Sequence, residues 1–254
     1  MDFEFGLWVL VFARASGFVT ILPIFSAPNI PVRVRVALAG ALTCLVAPGL
    51  PGYGWRHQAL SALVLLIARE FISGLVLGFM ARMAFYAVEM GGALISNEMG
   101  LSMGSLMDPF SGRPTQAPGM ALFMLASMVM LTLDLHHDLL IGFQRAYLVL
   151  PVGGARLREP LLGHVVRETS RFFVVALQIA APLIAFSFIV MLVLALLGRA
   201  MPQVNVFGES FAIRVLGGML VFGMTVQVMA QHIAAYLRRL PEDVLRVAQF
   251  LGAG

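Results

Sequence analysis

Phe172–Leu197, with the sequence FFVVALQIAAPLIAFSFIVMLVLALL, is the stretch that decides the fold of this chain. It carries no charged residue over a length that exceeds the roughly 20 residues a helix needs to cross a bilayer. Pro182 lies inside it and predicts a kink, because proline removes a backbone donor and clashes with the preceding turn. A second span is predicted from about Val215 to Leu237. The chain is therefore predicted to be an all-α integral membrane protein.

The composition of the whole chain agrees with a membrane protein. Of its 254 residues 60% are hydrophobic and 12% are charged, whereas soluble domains are about 45–50% apolar and about 25% charged. The net charge is +4 and all of the basic charge is arginine. No basic stripe alternates with exposed aromatics, so nothing indicates nucleic-acid binding. Cys44 is the single cysteine, which excludes an internal disulfide framework, and the acidic Asp2 and Glu4 argue against a cleaved signal peptide.

The other apolar segments are shorter or carry charges. Charged side chains in membrane helices face protein or water and usually pair with one another. Segments of this kind fit helices that pack mainly against other protein, so they predict a subunit of a larger assembly. The pattern Gly74-Leu-Val-Leu-Gly78 additionally permits a close approach between two helices. The segments are Leu7–Phe25, Val36–Leu50, Ala59–Ala81 continued by Met83–Ile95, Gly119–Leu133 and Leu139–Leu150.

The arginines predict the orientation of the chain. Under the positive-inside rule, loops rich in arginine lie on the cytoplasmic side of the membrane. This places the C-terminus in the cytoplasm and the acidic N-terminus outside. The three basic groups are Arg33 and Arg35, then Arg156, Arg158, Arg167 and Arg171, then Arg238, Arg239 and Arg246.

The sequence contains no pattern typical of an enzyme. No GxSxG elbow is present, a Walker loop requires the lysine that this chain lacks, and no GxGxxG follows a strand. The turn Asp134–Asp138 holds two histidines, but no HExxH pattern or second ligand cluster accompanies it, so we expect a polar turn and not a metal site. Arg69, Glu70, Glu89 and Glu98 would suit either a proton relay or structural ion pairs. We expect no catalytic residue, no cofactor and no metal.

A second stretch, Gly100–Gly119, reads GLSMGSLMDPFSGRPTQAPG and is rich in glycine, serine and proline. A loop at membrane depth is tolerated only where protein or a water-filled path surrounds it, since lipid leaves its backbone groups unpaired. The loop is therefore a candidate for a segment that plugs a passage, and the alternative is an ordinary connector between membrane hairpins. Two rows of methionine flank it at helical spacing and could either seal a passage or fill gaps between helices. They are Met99, Met103 and Met107, then Met120, Met124 and Met128.

Four places in the chain together carry a family resemblance. They are Arg14-Ala-Ser-Gly-Phe18 with Pro23-Ile-Phe-Ser26, Ile30-Pro-Val-Arg-Val-Arg35, Glu98 with the loop Met107–Gly112, and Gly198–Phe207 followed by Glu209–Arg214. In this order, and in a chain of this size, they resemble the FliR/SctT family of type III protein-export gate subunits. The resemblance spans nearly the whole chain.

This resemblance implies an architecture and a set of partners. It implies kinked helical hairpins, with a FliP-like helical part at residues 1–170 and a FliQ-like hairpin with a cytoplasmic tail at residues 171–254. It implies a pore-forming and gating subunit of the flagellar type III export channel, needed for flagellum assembly, in the bacterial inner membrane within the basal body. The implied partners are FliP-like and FliQ-like subunits, FlhB-like and FlhA-like export proteins, unfolded protein cargo and membrane lipid. A virulence-type export gate is the first alternative, and a self-sufficient secondary transporter or a membrane metalloprotein are the others.

The resemblance also implies site residues. In the family a loop of this subunit closes the pore, and the matching positions here are about Leu106–Pro118. The implied plug loop includes Leu106, Met107, Asp108, Pro109, Phe110, Ser111, Gly112, Arg113 and Pro114. The implied methionine seal comprises Met99, Met103, Met120 and Met124. The implied assembly motif comprises Arg14, Pro23, Arg33, Arg35, Glu98, Pro202, Asn205 and Phe207.

Overall fold

A computed structural model describes residues 5–23, 25–26, 30–51, 60–101, 117–155, 159–201 and 206–252; for residues 60, 159, 160, 162 and 206–209 it describes the backbone alone. All regular structure in these ranges is helical, as predicted. The α-helices are α1 (Phe5–Ile21), α2 (Val32–Val46), α3 (Leu60–Glu98), α4 (Ala117–Thr132), α5 (Leu135–Val149), α6 (Glu159–Ala200), α7 (Val206–Leu237) and α8 (Leu240–Gly252). A short 3₁₀ turn, Ala47–Gly49, follows α2.

Several helices are long and apolar enough to cross a membrane. Among the described residues four such spans are found: α2 together with its 3₁₀ turn, a span within α3, a span within α6, and the continuous run of α7 and α8. A fifth is formed if α4 and α5 count as one broken span. The prediction of a multi-pass, all-α membrane protein is therefore confirmed.

The predicted segments correspond to helices. Met83–Ile95 was expected to continue Ala59–Ala81, and the two segments form a single helix, α3, of 39 residues. Arg82, which lies between them, donates from its guanidinium to the hydroxyl of Ser26 over 2.8 Å. Helix α6 likewise runs for 42 residues and includes Pro182.

The chain forms two compact units. Unit 1 contains residues 1–84, 134–169 and 238–254, and unit 2 contains residues 85–133 and 170–237. Helices α3 and α6 therefore each contribute one part to each unit. The division into a FliP-like part ending at residue 170 and a FliQ-like hairpin stays a prediction.

Unit 1 is built on a close contact between α1 and α3. Glycines stand where the two helices meet, and a Cβ added at Gly74 would fall on the backbone carbonyl of Arg14. A Cβ added at Gly17 would fall on the carbonyl of Phe71 in the same way. Gly74 and Gly78 thus allow the close helix contact that their spacing predicts, because no side chain separates the two backbones. Phe18 of α1 then stacks on Phe143 of α5, with ring centroids 4.8 Å apart.

The C-terminal helix α8 packs within unit 1. It is strongly amphipathic, and its apolar face lies against α5. A Cβ added at Gly252 would fall on the carbonyl of Val149, so the end of α8 lies directly on the end of α5. Helix α8, as far as Gly252, therefore forms part of the folded unit.

Unit 2 also depends on small residues. A Cβ added at Gly92 of α3 would fall on the backbone of Gly119 in α4, so these helices touch at the two glycines. Gly217 of α7 makes room for the ring of Phe186 in α6. These contacts hold together the helices that flank the candidate loop.

Candidate functional site

The most constrained site in unit 1 is a buried ion pair between α1 and α3. The side chains of Arg14 and Glu70 are both fully buried. Nε of Arg14 donates to Oε2 of Glu70 over 2.6 Å, and Nη2 donates to Oε1 over 3.1 Å. This is the two-pronged geometry in which the planar guanidinium matches a carboxylate.

The turn that follows α5 completes the site. Nη1 of Arg14 donates to the carbonyl of Leu150 over 2.8 Å, and Nη2 donates to that of Pro151 over 3.2 Å. The N–H of Gly153 donates to Oε1 of Glu70 over 2.7 Å. Gly153 has φ +80°, a left-handed conformation that glycine adopts at little cost.

An aromatic ring covers the guanidinium. The guanidinium carbon of Arg14 lies 4.2 Å from the centroid of the Tyr147 ring. Desolvating two charges is costly, and their attraction offsets that cost only when further hydrogen bonds satisfy both groups. Here the two backbone carbonyls, the Gly153 amide and the aromatic face supply those contacts. The pair therefore joins α1, α3 and the end of α5 into one structure.

The ion pair helps to decide between the two roles that the sequence left open for Glu70, a proton relay or a structural ion pair. Both oxygens of Glu70 accept hydrogen bonds from Arg14, and Oε1 also accepts one from Gly153. Arg69, the adjacent residue, is exposed on another face of α3. This arrangement favours a structural role for Glu70 over a role in moving protons.

The predicted plug loop begins at a well-defined helix end. Residues 102–116, which include the positions from Leu106 to Pro114, lie outside the described residues. Before them, Gly100 has φ +76°, its N–H donates to the carbonyl of Asn97, and the N–H of Leu101 donates to that of Ser96. This pair of bonds is the Schellman motif that closes helices at a left-handed glycine. Helix α3 therefore stops at a fixed point just before the loop.

Both ends of the loop are packed against other helices of unit 2. Met99 is buried, and its side chain lies where a Cβ on Gly218 of α7 would fall. On the other side Gly119 lies against Gly92 of α3. The residues at both ends of the loop are thus fixed by packing against neighbouring helices.

The methionines that flank the loop, four of which form the implied seal, fall into two groups. Met99 is only 2% exposed, so it is a packing residue in the isolated chain. Met120, Met124 and Met128 are 57%, 54% and 66% exposed and lie four residues apart on α4, so they form one outward row. Met103 lies outside the described residues. A row of exposed, adaptable side chains is available for contact with a partner or a cargo.

The remaining motif residues occupy different environments. Pro23 is buried at the end of α1, Arg33 is exposed, and Arg35 and Glu98 are half-buried. Pro202 and Asn205 lie outside the described residues, and Phe207 is described only as part of the helical backbone of α7. Of the assembly motif, Arg14 is the residue whose contacts the structure defines most fully.

The polar turn between α4 and α5 is mostly exposed. Ligand-type atoms of Asp134, His136 and His137 lie within 4.8 Å of one another. Asp134 has φ +53° and forms the bend, and its Oδ1 lies 4.0 Å from Nδ1 of His137. The site lies at the start of α5, where the helix dipole disfavours a cation. A polar turn remains our interpretation.

Sequence reasoning did not identify Glu70 as the partner of Arg14 or the turn at Gly153 as part of the site. A signal for the first was present, because a charge inside an apolar segment needs an opposite charge in another. Several carboxylates were available, and the sequence alone does not choose among them. The backbone contacts from Leu150, Pro151 and Gly153 leave no pattern in the sequence.

Comparison with known proteins gives matches over nearly the whole chain. Residues 5–240 match the family described as bacterial export proteins, family 1. The chain is 31% identical over 229 residues to the flagellar biosynthetic protein FliR of Bacillus subtilis (strain 168), which covers 87% of each chain. It is 29% identical over 241 residues to FliR of Escherichia coli (strain K12), which covers 94% of this chain and 91% of the relative. It is 26% identical to the Yop proteins translocation protein T of Yersinia pestis, over 91% of this chain and 90% of that protein.

The helices and the ion pair define a multi-pass helical membrane protein whose segments bury charge against one another. The family model matches residues 5–240, which is nearly the whole chain. The chain therefore belongs to family 1 of the bacterial export proteins.

Proposed function

We propose that this chain is the pore-forming and gating subunit of a flagellar type III protein-export channel. The observation that carries the proposal is the match of residues 5–240 to the bacterial export family, together with similarity to FliR proteins over most of both chains. The role is non-enzymatic, since the sequence offers no nucleotide-binding motif and no catalytic constellation. Partner proteins would supply the energy for export.

The surface of the described helices is suited to a membrane assembly. Large apolar side chains are exposed along α6 and α7, among them Phe188 (66%), Leu216 (69%) and Met224 (76%). Monomeric soluble proteins rarely expose contiguous apolar surface of this kind, which instead meets lipid or another protein. In the proposed assembly FliP-like and FliQ-like subunits cover part of it, and FlhB-like and FlhA-like proteins lie nearby.

The loop at Leu106–Pro118 is proposed to close the pore at rest. Two observations support this part of the proposal. The helix before the loop ends at a fixed Schellman motif, and both ends of the loop are packed against neighbouring helices. A loop held in this way can occupy one position across a passage. The exposed methionine row of α4 would back it with an adaptable apolar surface.

Replacing residues 106–114 with nine glycine and serine residues tests the plug. This change keeps the length of the chain and leaves the packed ends at Met99 and Gly119 in place. We expect a rise in membrane conductance and in uptake of small molecules by cells, because a flexible polar segment does not seal a pore. The matched control is the same kind of replacement at residues 52–58. If the assembled complex remains intact and leakage does not rise, the loop is not the plug.

The chain is further proposed to lie in the flagellar basal body with its C-terminus in the cytoplasm. The arginine groups at 33–35, 156–171 and 238–246 support this orientation. Reporter fusions at the C-terminus that are active only in the cytoplasm, or only in the periplasm, test it. If only the periplasmic reporter were active, the C-terminus would lie in the periplasm and the proposed orientation would be wrong.

A virulence-type export gate is the second candidate. The similarity to the Yop proteins translocation protein T, over 91% of this chain, favours it. Higher identity to two FliR proteins supports the flagellar assignment instead. Loss of motility with intact effector secretion in a deletion strain would support the flagellar reading, and the opposite phenotype would support the alternative.

A further inference from the structure

Among the described residues, the run of α7 and α8 is the membrane span that the chain itself covers least. Only 6% of its most apolar window is buried, whereas the other three spans bury 28–39% of theirs. One face of α7 is open over several turns, since Leu216, Leu220 and Met224 are 69%, 67% and 76% exposed. In the membrane this face must therefore be covered by something other than this chain.

Two glutamines continue the same open face. Gln227 and Gln231 are both exposed. They lie about two helical turns beyond Leu220 and Met224, so the four side chains share one side of α7. Neither side-chain amide forms a hydrogen bond with any residue that the structure describes. The open face of α7 therefore changes from apolar to hydrogen-bonding along its length.

Gln227 lies near the middle of the membrane span. The stretch Val215–Leu237 carries no Asp, Glu, Lys or Arg, and as a helix it is about 34 Å long. This length is close to the hydrocarbon thickness of a bilayer, about 30 Å. Arg214 and Arg238 bound the stretch, Gln227 is next to its midpoint, and Gln231 is one turn closer to Arg238. Lipid headgroups and bulk water therefore do not reach the amide of Gln227.

The mixed chemistry of this face selects what covers it. Lipid tails would suit Leu220 and Met224 but would leave the two amides without hydrogen bonds, which is costly in hydrocarbon. A water-filled path would suit the amides but would wet the exposed apolar side chains beside them. A protein helix satisfies both parts, because polar side chains of membrane helices form hydrogen bonds across helix contacts.

We propose that the face of α7 from Leu220 to Gln231 packs against a transmembrane helix of a different subunit, whose polar side chains at mid-membrane depth form hydrogen bonds with the amides of Gln227 and Gln231. That a helix covers this face follows from the membrane location of the chain. That the helix belongs to a different subunit rests on the proposed function.

A double variant, Gln227→Met with Gln231→Met, tests the contact. Methionine keeps the length of the side chain and removes the amide, so a face covered by lipid would tolerate or favour the change. Native mass spectrometry of the tagged full chain, gently extracted from its own membranes, measures how much partner stays bound. We expect the partner to bind the double variant about tenfold more weakly, the loss typical of two hydrogen bonds between membrane helices.

Thr225→Val is the matched control on the same helix. The hydroxyl of Thr225 donates to the carbonyl of Val221 over 2.7 Å, so its hydrogen bond lies within α7 and needs no partner. The control should therefore retain the partner as the wild type does. If the double variant retained as much partner as Thr225→Val, the amides would make no contact with a partner and the proposal would be wrong.

A photo-reactive residue at Met224, activated in intact cells, identifies what lies on this face. We expect an adduct with a different membrane protein. Adducts with lipid alone would overturn the helix contact, and an adduct with a second copy of this chain would overturn the assignment to a different subunit. Labelling of Gln227→Cys by a membrane-impermeant maleimide, in a Cys44→Ser background, would reveal water on this face and would also overturn the proposal.

The wild-type complex separates a failure of this inference from a failure of the proposed function. If the wild type extracts with export subunits and the double variant retains them equally well, the helix contact alone is wrong. If the wild type extracts with a membrane protein of another system and the double variant binds that protein more weakly, the contact stands and the proposed function is wrong.

Discussion

Replacing Arg14 with methionine removes a buried charge and leaves the carboxylate of Glu70 without its main partner. In the wild type this carboxylate accepts two hydrogen bonds from Arg14 and one from Gly153. Only the bond from Gly153 would remain in the variant. Both side chains are fully buried, so water does not replace the lost partner without opening the unit.

The expected cost follows from this geometry. Removing one partner of a buried ion pair typically destabilises a protein by about 3–5 kcal/mol. Replacing both Arg14 and Glu70 with methionine removes the uncompensated charge. It leaves the buried carbonyl of Leu150 without a donor, at about 1–3 kcal/mol, whereas the carbonyl of Pro151 and the N–H of Gly153 are only part-buried and can bind water. The double variant is therefore expected to be more stable than either single variant.

Thermal unfolding of the tagged chain in native membranes tests this order. The folded fraction is read from protection against protease after heating, and steady-state abundance is measured in parallel. Since proteins are stable by about 5–15 kcal/mol, a loss of this size should lower abundance several-fold. Arg69→Met is the control, and a change at this exposed position should alter stability by no more than about 0.5 kcal/mol.

Two results would refute the reasoning. If Arg14→Met unfolded at the same temperature as Arg69→Met, the buried pair would contribute nothing that matters to stability. If the double variant were less stable than both single variants, the dominant effect would be lost packing and not an unpaired charge.

Two further predictions concern helix contacts. Gly74→Ala should separate α1 from α3 and lower the free energy of unfolding by several kcal/mol in the same protease assay. A Cβ at Gly40 meets nothing within 4 Å, so Gly40→Ala should be neutral or slightly stabilising. Gly218→Ala should displace Met99, which lies at the end of α3 before the candidate plug loop, and should raise small-molecule leakage in cells. A Cβ at Gly223 of the same helix meets nothing within 4 Å, so Gly223→Ala should not raise leakage. Equal effects of the members of either pair would contradict the packing described for that unit.

The long apolar segments could be predicted because length and composition alone determine them. Phe172–Leu197 and Val215–Leu237 fall inside α6 and α7. Met83–Ile95 was expected to continue Ala59–Ala81, and both lie in α3. The sequence does not show that Ser26 accepts a hydrogen bond from Arg82, because that contact depends on how the turn after α1 packs against α3.

The ion pair could be predicted in kind but not in detail. An arginine in an apolar helix requires a carboxylate, and Arg14 does have one. That the partner is Glu70, 56 residues away, depends on how α1 and α3 pack at Gly74. The backbone groups at Leu150 and Gly153 could not be predicted, because any residue type offers them. The plug loop stays a prediction carried by resemblance, since residues 102–116 lie outside the described part of the chain.

The measurement that tests the central claim most directly is native mass spectrometry of the tagged chain, extracted gently from its own membranes. The account predicts this chain in a large complex with FliP-like and FliQ-like subunits, and the identities of those subunits would separate flagellar from virulence machinery. A lone chain or a simple dimer, retained across several mild detergents, would contradict the export-gate assignment.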